Sequence, residues 1–190
     1  MIFVGDIASP AEKYSQQLKV FFQRNATIFS NHALVGNLEG LISDEQSLKV
    51  NNPVLYNHSS VLNTLKEAGV KSLALANNHT LDLPHCFQQT VKSLKDEEIV
   101  YTGAGFSKEE ANSPAFFNDK DSEIALFNAC FDFLLYHQDN PSQGVYVAKL
   151  EEKKLISDII KYKAEYPEKT IVVYLHWSID QETLPFPMYR

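Results

Sequence analysis

Cysteine is nearly absent from this chain: Cys86 and Cys130 are the whole supply in 190 residues. Neither lies in a CxxC or in a zinc-like spacing. Both have apolar neighbours, so they read as reduced core thiols, and no disulfide framework is implied. Basic residues are also scarce, 17 against 24 acidic, for a formal charge of −7. That argues against nucleic acid as a partner, because phosphate binding needs a basic face. Lys153-Lys154 lies among Glu151, Glu152 and Asp158 and reads as a solvated helix face. An anion can still bind where a metal supplies the positive charge. No apolar run reaches the length of a membrane span. The start, Met1-Ile2-Phe3-Val4-Gly5-Asp6, has no basic leader and turns polar too early for a signal peptide. The chain as written therefore reads as cytoplasmic, and as membrane-associated or extracellular if an anchor preceded it. There is no internal repeat and no low-complexity segment.

What is present is one core's worth of apolar residues, 44% of the chain, with 22% charged. This predicts a single domain over 1–190. Short apolar runs at 1–4, 33–36, 72–76, 99–101, 124–129, 145–147 and 170–175 read as strands. The last has the highest β-branched content. Helical spacing of apolar residues marks 12–24 (Tyr14, Leu18, Phe21, Phe22), 60–68 (Val61, Leu62, Leu65, Ala68), a segment from Pro84 to about 96 (Phe87, Val91, Leu94) and 151–162 (Leu155, Ile156, Ile159, Ile160). Ser59 or Ser60 is placed to cap the second of these, and Gly69 suits the position just beyond its end. Residues 107–111 suit a turn or two of helix. The span 41–57 has no period and reads as a long loop with a short strand near 54–56; 134–144 and 180–190 read as loop. Asn118-Asp119 marks a turn, so 116–129 forms an antiparallel hairpin. Strands alternating with helices predict an α/β fold with a mixed, largely parallel sheet.

Four strand candidates end in donor residues: Asp6, then Asn37 and Glu39, then Asn78 and His79, then His176. The third is Ser72-Leu73-Ala74-Leu75-Ala76 running straight into Asn77-Asn78-His79-Thr80-Leu81-Asp82. In an open α/β sheet, ligands bind beyond the carboxyl ends of the strands, and parallel strands would bring these donors to one edge. Oxygen donors mixed with imidazole suit Mn²⁺, Fe²⁺, Zn²⁺ or Mg²⁺, and such a site activates water and polarises a phosphoryl or carbonyl oxygen. A metal-free alternative is acid–base chemistry by His79 and Glu39. Each residue also has a local explanation. Asp6 and Asp82 suit helix caps, Asn77 and Asn78 suit turns, Glu39 suits solvent, and His79 or His176 suits an ordinary structural histidine. The joint pattern at four strand ends favours a site. His32, His58, His85 and His137 read as structural or solvated. Gly103-Ala104-Gly105 reads as a tight strand-to-helix turn rather than a phosphate cradle.

Taken in order, Gly5-Asp6-Ile7, Asn37-Leu38-Glu39-Gly40, Ala76-Asn77-Asn78-His79 with Asp82, Gly103-Ala104-Gly105 and His176-Trp177 resemble the CapA-type proteins of poly-γ-glutamate capsule synthesis, relatives of the calcineurin-like metallophosphoesterases. The resemblance spans nearly the whole chain. It implies an αββα sandwich and a divalent-metal site, dinuclear in a full-length form. It implies Asp6, Glu39, Asn78 and His176 as metal ligands, with Glu39 between two metals. It implies that His79 acts on the leaving group; the spacing of Asp82 suits it to orient His79. Asn37, Asn77, Trp177 and Asp180 are expected beside the substrate. Ser178 and Asp180 depart from the glycine and glutamate that many relatives carry after His-Trp. Relatives continue into a Gly-His-His-Pro-His-like block, so the expectation is a C-terminally shortened member that alone binds at most one metal, weakly, with little or no hydrolase activity. The implied function is metal-assisted hydrolysis or phosphoryl transfer in capsule production. The alternative is a non-catalytic accessory subunit. The implied partners are an anionic polymer or phosphoester substrate and other capsule-synthesis proteins.

Overall fold

The computed structural model describes residues 1–45, 54–131 and 144–177. Most of the loop expected over 134–144, with His137, Ser178, Asp180 and the tail 180–190, lies outside the described residues. Among the described residues the chain runs β1 (Ile2–Ile7), α1 (Glu12–Arg24), α2 (Ala26–Phe29), β2 (Leu34–Leu38), β3 (Leu41–Ile42), β4 (Tyr56–Asn57), α3 (Ser60–Ala68) and β5 (Val70–Ala74). After a 3₁₀ turn at Pro84–Cys86 come α4 (Phe87–Asp96), β6 (Val100–Thr102), β7 (Ala104–Gly105), α5 (Lys108–Asn112), β8 (Ala115–Asp119), β9 (Ser122–Cys130), β10 (Tyr146–Val147), α6 (Glu152–Glu165) and β11 (Thr170–His176).

The strands form the αββα sandwich that the resemblance implies, mixed and largely parallel, divided between two main sheets, with β3–β4 and β7–β10 as two-stranded pairs beside them. The first has the order β1-β2-β5-β6, with every neighbouring pair parallel. The second has the order β11-β9-β8, with β9 antiparallel to β8 and parallel to β11. Parallel neighbours need a crossover, and α1, α3, α4 and α6 supply them. The five residues of β2 are all buried, as a strand covered on both faces must be. Seven successive residues of β9, from Ile124 to Cys130, are likewise buried, which suits the centre of the second sheet.

The layers follow from who touches whom. Phe22 of α1, Val61 and Leu65 of α3, and Phe87 and Leu94 of α4 share one core with Leu34, Val70 and Leu73 of the first sheet. Leu34, Leu65, Leu73 and Leu94 are fully buried, each contributing about 1.5–3 kcal/mol by the area removed from water. On the far side, Tyr162 of α6 packs its ring against Phe116 and Phe127 of the second sheet, at 5.7 and 5.6 Å. Between the sheets, Phe3 of β1 meets Tyr174 of β11 edge to face at 5.4 Å. The order is helices, sheet, sheet, helix. No helix among the described residues is long and apolar enough to cross a membrane.

Local details refine the expected elements. Gly69 ends α3 at φ +83, the left-handed position that glycine takes without strain. The cap expected from Ser59 or Ser60 is not formed by a side chain; the Asp44 carboxylate instead accepts the Ser59 amide at 2.8 Å. The strand expected at 72–76 begins two residues earlier and ends at Ala74; Leu75 still gives its amide to the Thr102 carbonyl of β6, whereas Ala76 gives its own to the Asn128 side chain. Within Gly103-Ala104-Gly105, Ala104 and Gly105 pair with β10, and α5 follows, which Ser107 caps through its hydroxyl.

Candidate functional site at the strand ends

Asp6 and Asn37 are register partners at the ends of β1 and β2, just past an irregularity between Val4 and Asp6. Ala74 at the end of β5 is the next neighbour of Asn37. Three of the four expected donor positions thus come from adjacent strands of one sheet. The fourth does not: His176 arrives from β11, in the other sheet. The site is therefore at the seam between two sheets, and the seam has its own fastener. Asn128 of β9 accepts the Ala76 amide at 2.6 Å and donates to the Tyr174 carbonyl at 2.8 Å. A cavity of about 200 Å³ opens there, lined by Asp6, Asn37, Asn128, Tyr174, His176 and Trp177.

A directed chain of hydrogen bonds runs through this seam. It starts at the His79 backbone N–H, which can only donate, and which reaches Asn77 Oδ1 at 3.0 Å. Asn77 Nδ2 then donates to the Leu38 carbonyl at 2.9 Å and to Asn37 Oδ1 at 3.1 Å. Asn37 Nδ2 is left to donate to Asp6 Oδ1 at 2.8 Å and towards His176 Nδ1 at 3.3 Å. His176 Nδ1 must then be the acceptor, so its proton sits on Nε2 and is given to Asn78 Oδ1 at 2.8 Å. The polarity of one backbone amide thereby sets the tautomer of a histidine on the opposite sheet.

Each expected site residue has a definite place in this arrangement except Asp180, which lies outside the described residues. Asp6, Asn37, Asn78 and His176 are brought together. His79 Nδ1 lies 2.8 Å from Asp82 Oδ2, the contact expected from their spacing. Asp82 is itself held by the Leu55 amide at 2.8 Å. Asn77 is fully buried; it orders Asn37 and the His79 turn, and touching a substrate would mean breaking those bonds. Trp177 is exposed at the mouth of the cavity. Glu39 is half-buried one residue past β2, its amide bonded to the Ile7 carbonyl at 3.0 Å. Its carboxylate does not close with Asp6 and His176 into a tight three-ligand group; among the described residues that geometry occurs at Glu45, His85 and Cys86. Gly40 owes its place to packing, since a Cβ there would collide with the Leu55 backbone.

The donors fit a divalent cation in part. Two ligands bound side by side to a small cation sit about 3 Å apart, close to the 2.8 Å between Asn78 Oδ1 and His176 Nε2. For His176 to ligate there, its Nε2 proton must leave. The Asp6 carboxylate lies on the other side of the ring, 3.9 Å from Nδ1, so one ion cannot take all three as they stand.

Three participants were not singled out from sequence. Asn128 carries a signal, a lone amide inside an apolar strand. Asn57 had none, sitting in an aperiodic span; it is fully buried and donates to the carbonyls of Glu39 and Gly40 at 2.9 and 3.1 Å. Tyr174 looked like one more strand residue. Burial, with the charge of Asp6 adding to it, pushes its phenol up to about 12.

Comparisons with known proteins bear on the family and the fold. The family model for "Bacterial capsule synthesis protein PGA_cap" matches residues 1–189. No curated protein sequence matches significantly. Among solved structures, a putative 5′-nucleotidase from Staphylococcus aureus, in complex with alpha-ketoglutarate, superposes with a TM-score of 0.55 at 10% identity. The match covers 95% of this chain and 37% of that one, so the chain spans little more than a third of that protein. At such identity the likeness speaks for fold, and the fold is the metallophosphoesterase-like sandwich.

Proposed function

We propose a function for a chain that belongs to the PGA_cap family of bacterial capsule synthesis proteins: metal-assisted hydrolysis or phosphoryl transfer on a phosphoester or an anionic polymer precursor. The observation that carries this reading is the hydrogen-bonded convergence of Asp6, Asn37, Asn78 and His176 beside the His79–Asp82 pair. Asn78 and His176 would hold one divalent cation, with Asp6 and Glu39 the remaining candidate ligands. Such a cation, when bound, supplies Lewis-acid charge to a phosphoryl oxygen, which a chain of net charge −7 offers little other means to attract.

The remaining chemistry falls to the chain's own side chains. His79 protonates the leaving oxygen. Asp82, anchored by the Leu55 amide, holds the ring through Nδ1 and leaves Nε2 to face the substrate. Trp177 forms the apolar wall of the mouth. Asn77 keeps Asn37 and the His79 turn in register. The partners proposed are the phosphoester or polymer substrate and other proteins of capsule production.

A second reading has its own support. The Glu39 carboxylate stands outside a tight ligand group with Asp6 and His176, as in an accessory subunit that keeps the fold and binds an anionic polymer without turnover. Phosphodiesterase assays with Mn²⁺ decide between them. An enzyme shows turnover that His79→Ala lowers by about 10²–10⁴. Absent turnover, with polymer binding intact, the accessory reading replaces the enzymatic one.

A further inference from the structure

Outside the seam, three metal-binding side chains converge: the Glu45 carboxylate, the His85 imidazole and the Cys86 thiol, with ligand atoms all within 4.8 Å of one another. Glu45 follows β3, whereas His85 and Cys86 close the 3₁₀ turn before α4. His85 Nε2 and Glu45 Oε1 are 3.0 Å apart. A surface ion pair would explain that contact alone. It does not explain why the thiol of a buried cysteine is presented to the same point.

We propose that Glu45, His85 and Cys86 form a separate site for a borderline divalent cation, Zn²⁺ above all. A thiolate, an imidazole and a carboxylate are the donor types that zinc accepts, and three protein ligands leave a fourth position for water. The thiolate separates this site in kind from the oxygen-rich donors at the strand ends.

The surroundings are those of a prepared site. The Ser43 hydroxyl, which acts on the Cys86 thiol against the effect of burial, accepts the Glu45 amide at 3.3 Å. Thr90 accepts the Ile42 amide at 3.0 Å and donates to the Cys86 carbonyl at 2.9 Å, so β3 and the turn are already braced against each other. Cys86 is buried, whereas the side chains of His85 and Glu45 are 60% and 46% exposed, which leaves an ion a way in. A bound cation would supply the charge that holds the thiolate.

A bound ion would fasten the segment after β3 to the turn that begins two residues beyond Asp82. That turn continues the segment carrying His79, so occupancy of this site would stiffen one wall of the other.

Cobalt substitution tests the proposal. The whole chain is stripped with a chelator and titrated with Co²⁺. One equivalent is expected to produce a thiolate-to-cobalt charge-transfer band. The band should vanish in Cys86→Ser and persist in Cys130→Ser and His176→Ala. Zn²⁺ should abolish it by competition and raise the melting temperature of the wild type. Should Cys86→Ser misfold, Glu45→Gln, at an exposed position, reads the same site: Zn²⁺ affinity must fall while the metal-free melting temperature stays at the wild-type value. A missing band, a band that survives Cys86→Ser, or Zn²⁺ affinity unchanged in Glu45→Gln would each overturn the assignment.

Discussion

Asn78 and His176, 98 positions apart in the chain, meet across the two sheets with 2.8 Å between Oδ1 and Nε2. An amide oxygen only accepts, so the imidazole donates from Nε2. Nitrogen-15 NMR of metal-free protein is expected to find His176 as the neutral Nε2–H tautomer. A proton on Nδ1 would mean that the polarity relayed from the His79 amide through Asn77 and Asn37 is wrong.

Asn128 links three strands' worth of backbone through one side chain. Asn128→Ala leaves the Ala76 N–H and the Tyr174 carbonyl without that partner. Leaving such buried groups unsatisfied costs about 1–3 kcal/mol. Urea unfolding should show a loss of that size, with the slope unchanged.

Gly103 sits at φ +93, and a Cβ there would press into the Asn128 amide oxygen and the Ala76 backbone. Gly103→Ala is expected to destabilise more than Asn128→Ala. Combining the two should rescue little, because the Ala76 contact at 2.6 Å and the left-handed φ both remain.

The Tyr174 phenol, raised from 10.0 to about 12, keeps its proton longer in the folded chain than in the unfolded one. Between those values the native state binds more protons, so stability must fall as pH rises from about 10 to about 12. Its contribution is fully present below pH 10. Tyr174→Phe should flatten that alkaline limb of a stability-against-pH curve, and an unchanged limb would assign the loss to other groups.

Asp82 accepts from the Leu55 amide and faces His79 with the same oxygen. In an active preparation, Asp82→Ala should lower kcat with KM little changed, by less than the loss on His79→Ala. A larger effect on KM would place Asp82 against the substrate instead.

How much of this could be read from the chain alone depends on distance along it. Helix spacing at 12–24 and 60–68, the left-handed glycine after α3, the β8–β9 turn and the His79–Asp82 contact are all local, decided by residues within a turn of one another. The blocks Asn37-Leu38-Glu39-Gly40 and Asn77-Asn78-His79 also pointed to the rim, because β1, β2 and β5 are neighbours in a parallel sheet.

Which sheet His176 belongs to was not local. An apolar β-branched run fits either sheet equally well, and only pairing with β9 and cover from α6 decide it. The same holds for Asn57 and Asn128, whose partners lie 17 to 52 positions away, and for the cluster of Glu45 with His85 and Cys86. Local sequence order dictated the elements and the donors at their tips. Packing of two sheets face to face decided which donors share a cavity, because burial leaves each polar group no water to bond and obliges it to find a partner from across the seam.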